Sequence, residues 1–86
     1  METIILGDEH DDILRGTLRA VLISAGAVDI EHFWGVGGSQ ELEVVEVEFE
    51  NERVTIEAET FVGLTLSGPK SVVENLAERV RQQLAS

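Results

Sequence analysis

The chain has 86 residues, of which seventeen are acidic and six basic, for a formal net charge of −11. That length holds one domain with a single modest core, and the charge excludes nucleic acid and anionic membrane surfaces as partners, because both bind through clustered lysine and arginine. With no cysteine, neither a disulfide framework nor a thiolate metal site is open to it. The opening METIILGDEH holds no apolar run fit for a signal peptide or an anchor, so a cytoplasmic protein is expected.

Residues Glu2 to Leu6 are β-branched enough for a short strand that ends at Gly7. From Ile13 the period changes: Ile13, Leu14, Thr17, Leu18, Val21, Leu22 and Ala25 make the stripe of a half-buried helix. The spacing predicts this helix from about Asp11 to about Ala25, capped by Asp11 or Asp12 and closed by Gly26 in the left-handed conformation. Arg15 and Arg19 fall one turn apart on its exposed flank.

Val28 to Trp34 alternates and reads as a strand, broken by the glycine-rich GVGGSQ. Two longer strands follow, Glu41 to Phe49 and Val54 to Leu66, joined by a tight turn at Asn51 and Glu52. In the later one the even positions Val54, Ile56, Ala58, Thr60, Val62, Leu64 and Leu66 keep one phase throughout. In its partner Leu42 and Val44 share one phase and Val45, Val47 and Phe49 the other, which a β-bulge at Val44 and Val45 reconciles. Pro69 suits a first helical position, Ser71 with Glu74 forms a capping box, and Val73, Leu76, Ala77, Val80 and Leu84 mark the stripe of a second helix.

The order βαβββα predicts an α+β fold: one small domain over residues 1–86, an antiparallel sheet, and both helices on one face. Without its first strand the order αβββα resembles that of double-stranded RNA-binding domains. That family presents lysines at the start of its second helix, and here Lys70 is the only lysine, so the resemblance extends to element order and not to RNA.

A turn at Asn51 and Glu52 sets Glu46 opposite Glu57 and, past the bulge, Glu43 opposite Glu59 and Glu41 opposite Phe61. The face turned away from the helices then carries Glu41, Glu43, Glu46, Glu48, Glu50, Glu57 and Glu59, with Phe61 and Thr65 further along. Each opposed glutamate pair costs roughly 0.2–1 kcal/mol, a cost that a basic partner would relieve. Strand phase places Trp34 with the core and Phe33 on the acidic face, where an exposed aromatic can anchor an interface. The candidate partner-binding residues are Glu43, Glu46, Glu48, Glu57, Glu59, Phe33 and Phe61.

Signs of catalysis are weak. The run GVGGS has no lysine and no helix after it, so it reads as a hairpin connection and not a phosphate loop. The acids of GDEHDD match no EF-hand or zinc spacing and suit the positive end of a helix. His10 and His32 are the only histidines and no serine lies in a G-x-S-x-G context, so neither catalytic residues, a metal nor a cofactor is assigned.

The expected function is that of a small non-enzymatic binding module, of adaptor, antagonist or immunity type, whose acidic face engages a basic surface on another protein. One alternative is a structural, self-associating protein whose acidity is adaptation to a salt-rich cytoplasm; a second is a small metal-dependent enzyme using GDEHDD and His32. The Phe61 to Leu66 half of the long strand overhangs its partner, so it is expected to pair with Glu2 to Leu6 and to support a homodimer through that region.

Overall fold

The structure is a computed structural model. It describes the backbone of residues 1–37 and 40–85 and the side chains of residues 1–29 and 41–85. The elements are β1 (Glu2–Gly7), α1 (Asp12–Ser24), β2 (Val28–Gly37), β3 (Gln40–Phe49), β4 (Glu52–Glu59), β5 (Gly63–Gly68) and α2 (Lys70–Ala85). The five strands form one antiparallel sheet in the order β1-β5-β4-β3-β2. Both helices share one core with a single face of that sheet, which is the α+β arrangement expected from the order of elements.

The order differs from βαβββα by one strand. The run from Val54 to Leu66 is not continuous: it folds back at residues 60–62, where the Val62 amide donates to the carbonyl of Glu59 at 3.0 Å and Phe61 takes a φ of 71°. Gly63 follows with a φ of 114°, and a Cβ there would lie 2.6 Å from the carbonyl oxygen of Gly7. Only glycine meets both demands. The second half, now β5, lies between β4 and β1, with Ile4 beside Leu66 and Thr3 beside Ser67. The pairing of the first strand with this segment is as expected, and it covers the edge on which a dimer was expected.

The β3–β4 turn also moves by one residue. Glu50 and Asn51, with φ of 53° and 64°, form the two-residue turn, and Phe49 faces Glu52. Positive φ at both central positions is the primed turn whose twist matches that of the strands. Pairing continues to Leu42 opposite Glu59 with no shift in register. The expected bulge at Val44 and Val45 is absent; a bulge lies in β2 instead, between Asp29 and Glu31. β2 runs on through Gly35 to Gly37, so the first glycines of GVGGSQ do not break it, and Gly38 and Ser39 lie outside the described residues.

Val47, Phe49, Val54, Ile56, Ala58, Leu64 and Leu66 point from the sheet into the core. Leu14, Leu18 and Val21 meet them from α1, and Val72, Val73, Leu76, Ala77 and Val80 from α2. Arg79 lies over the Phe49 ring, 5.7 Å from its centre. Asp11 caps α1 by accepting the Leu14 amide at 3.0 Å. Gly26 ends the helix with a φ of 79°, while its own amide and that of Ala27 return to Ile23 and Leu22, the paired bonds of a Schellman end. α2 starts at Lys70, so Ser71 lies inside the first turn and the expected capping box does not form; Pro69 offers its carbonyl to the amides of Val72 and Val73 instead. Ile13, expected in the buried stripe, is 75% exposed. No helix among the described residues is long and apolar enough to cross a membrane.

Candidate functional site

The sheet face opposite the helices follows from register and alternation. From β4 it takes Arg53, Thr55, Glu57 and Glu59, the neighbours of buried Val54, Ile56 and Ala58. From β3 it takes Leu42, Val44, Glu46 and Glu48, which alternate with Val45, Val47 and Phe49. Thr65 and Ser67 continue it on β5, and Thr3 and Ile5 on β1, where the hydroxyls of Thr3 and Ser67 lie 2.9 Å apart. Among the described residues no helix lies over this surface, because both are spent on the other one.

Four of the expected acids stand on this face: Glu46, Glu48, Glu57 and Glu59. Glu43 does not. Without the bulge, Glu43 shares the phase of Val45 and Val47 and turns to the helix side, where the Arg15 guanidinium pairs with its carboxylate. Arg15 is therefore no exposed flank residue; it is half-buried, and its other nitrogen donates to the carbonyl of Glu9 at 3.0 Å. Glu41 shares the phase of Glu43, and Glu50 is in the turn. Leu42 and Val44 occupy the open-face positions expected for Glu41 and Glu43.

The expected opposition of glutamates across β3 and β4 is also absent. Glu46 faces Thr55 and pairs diagonally with Arg53 at 3.4 Å, while Glu57 lies between Val44 and Thr65. On the other side β2 brings Glu31 to the register position beside Glu46. Phe33 takes the position beside Val44; its side chain lies outside the described ones, as do those of His32 and Trp34. Phe61 is 82% exposed, not in the middle of the face but at the β4–β5 turn, near exposed Ile5 and Val62.

A cleft of about 210 Å³ opens where the β1–α1 loop meets the ends of β3 and β4, lined by Glu9, His10, Arg15, Glu41, Glu43, Ala58 and Thr60. Its polar groups are tied into the fold. Thr60 receives the Glu41 amide on its hydroxyl at 2.9 Å and returns its own amide to the Glu41 carbonyl at 3.0 Å. In GDEHDD, Asp8 accepts the His10 amide at 2.7 Å, Asp11 caps α1, and Glu9 accepts the Phe61 amide at 3.4 Å and lies 3.6 Å from the His10 ring. Among the described residues no three acidic or histidine side chains are grouped to hold a metal ion.

Sequence reasoning missed how the charge is divided, although a count by element reveals it. The helices carry Arg15, Arg19, Lys70, Arg79 and Arg81 against Asp12, Glu74 and Glu78, a net of +2. The strands and turns carry the other fourteen acids against Arg53 alone, a net of −13, which with the helices gives −11. No family model, curated protein or solved structure matches the chain.

Proposed function

We propose that the protein is a binding module whose open sheet face takes a basic surface of another protein. The observation that carries this reading is the division of charge, −13 on strands and turns against +2 on the helices. Acidity that served only to keep the chain soluble in salt would spread over every exposed surface, helices included. Here the helices are spared, and the face they leave uncovered carries Glu46, Glu48, Glu57 and Glu59 against Arg53 alone on β3 and β4. Glu48, Glu57 and Glu59 supply the field that steers a cationic partner, and Leu42 and Val44 between them supply apolar area that charge alone lacks.

Binding of a panel of Lys/Arg-rich peptides, measured by calorimetry at low and high salt, tests the reading. Neutralising the face with Glu48→Gln/Glu57→Gln/Glu59→Gln removes binding, whereas neutralising Asp12, Glu74 and Glu78 to the same extent leaves it. Equal losses from both sets would reduce the effect to net charge and end the proposal.

A further inference from the structure

The β4–β5 turn exposes an aromatic ring where the backbone is least suited to one. Phe61 has a φ of 71° and is 82% exposed, so this position both strains an L-residue and wets a phenyl ring. Asparagine or glycine would relieve both, and the chain's own packing gains little from the ring. The turn is nonetheless held in place: the Phe61 amide donates to the Glu9 carboxylate at 3.4 Å. Ile5, 63% exposed on β1, and Val62, 50% exposed, are near the ring, and the three border a hollow of about 550 Å³ at the β1 edge of the open face. An exposed apolar patch rimmed by polar groups is the usual mark of an interaction surface.

The charge around the patch says what covers it. Asp8 and Glu9 line the hollow, and no lysine or arginine lies on β1, on β5, in the turn between β4 and β5 or in the loop before α1. A second copy of the chain, with a net charge of −11, would bring acid to acid, whereas a cationic partner meets the opposite field. The patch is also continuous with the face proposed above. Thr65 has Ile5 on one side and Glu57 on the other, and Gly63, which lines the hollow, is beside Glu59. With strands about 4.8 Å apart, Ile5 and Glu57 lie about 10 Å from each other, the reach of about three residues of extended chain. A basic segment lying on Glu57 and Glu59 thereby brings its third residue onward to the hollow. We infer that Ile5, Phe61 and Val62 form the anchoring hollow of the acidic face, and that its occupant is a Lys/Arg-rich segment of a partner protein with a large aliphatic side chain about three residues from its basic pair.

The inference rests on the proposed function, and calorimetry with two peptides separates the failure of one from the failure of the other. Both peptides hold the same Lys/Arg pair; one has leucine three residues on, the other serine. The wild type is expected to bind the leucine peptide about tenfold more tightly and to keep that preference in high salt, where the contribution of charge fades. Phe61→Asn loses the preference, binds the serine peptide as the wild type does, and melts a few degrees higher because asparagine relieves the strained turn. Ile5→Thr, a change at an exposed strand position, lowers the preference about threefold. Equal affinity for both peptides, with binding still lost in Glu48→Gln/Glu57→Gln/Glu59→Gln, would overturn the anchor and leave the face; binding of neither peptide would end both. A Phe61→Asn variant that melts lower would make the ring structural, and a wild-type dimer in sedimentation that Phe61→Asn dissociates would give the hollow to a second copy. Either result overturns the assignment.

Discussion

The Arg15 guanidinium on α1 pairs with the Glu43 carboxylate on β3, joining a helix to the sheet on the side opposite to the one the sequence pattern assigned to Glu43. The two side chains keep 40% and 25% of their exposure, against 63% and 26% for Arg53 and Glu46 across the open face. Less exposed charges are less screened, so a double-mutant cycle on Arg15 and Glu43 is expected to give about 1 kcal/mol of coupling, and one on Arg53 and Glu46 about 0.3 kcal/mol. Glu43→Gln should also leave binding of basic peptides intact. A loss of binding equal to that of Glu57→Gln would put Glu43 back on the interaction face.

Gly63 sits under the Gly7 carbonyl with a φ of 114°. Gly63→Ala would meet both a 2.6 Å contact with backbone and an unfavourable dihedral, and is expected to destabilise the fold by about 2–3 kcal/mol. Gly26→Ala, where φ is 79° but a Cβ meets nothing within 4 Å, should cost about 1 kcal/mol. Urea unfolding of the two variants checks the order, and equal losses would mean that the close approach to β1 contributes nothing.

These two residues show where the sequence was legible and where it was not. The inward phase of Val45, Val47 and Phe49 against Val54, Ile56 and Ala58 was readable because moving the turn by one residue shifts the register by two, which preserves which face each side chain takes. The β4–β5 turn was hidden for a related reason. It spans three residues, so Ala58 pairs with Leu64 and Ile56 with Leu66, and the even-numbered alternation runs through the reversal without a break. Only Gly63 marked it. The bulge was misplaced because Leu42 and Val44 read as core by hydrophobicity alone, whereas pairing continues past them and leaves them on the open face. Glu43 follows the same phase inward, and its partner Arg15 is 28 residues away, a juxtaposition no local spacing carries.

The β3–β4 turn is open to improvement. Glu50 and Asn51 both adopt positive φ, a conformation that asparagine tolerates and glutamate does not, and in which Asn-Gly is favoured. Glu50→Asn/Asn51→Gly is expected to stabilise the protein by about 1 kcal/mol, raising the melting temperature by roughly 4–8 °C. A melting temperature that does not rise would mean that the positive φ at Glu50 and Asn51 costs the turn nothing.

The concentration of charge on strands and turns makes a prediction about where a lysine helps. Glu57 lies between Val44 and Thr65, with Glu46 only at a diagonal position and already paired with Arg53. Glu57→Lys therefore relieves no directly opposed pair. Its benefit comes from the surrounding field of −13 and should be modest, about 0.5 kcal/mol at low ionic strength, fading near 1 M salt where the screening length falls to about 3 Å. Glu74→Lys changes the net charge by the same amount on α2, which already carries Lys70, Arg79 and Arg81 against Glu74 and Glu78. It replaces an acid four residues after Lys70 with a like charge and should be neutral or destabilising by about 0.3 kcal/mol. Denaturant unfolding of both variants across a salt series separates the two effects. Equal gains at low salt would show that the fold responds to total charge and not to its division between sheet and helices.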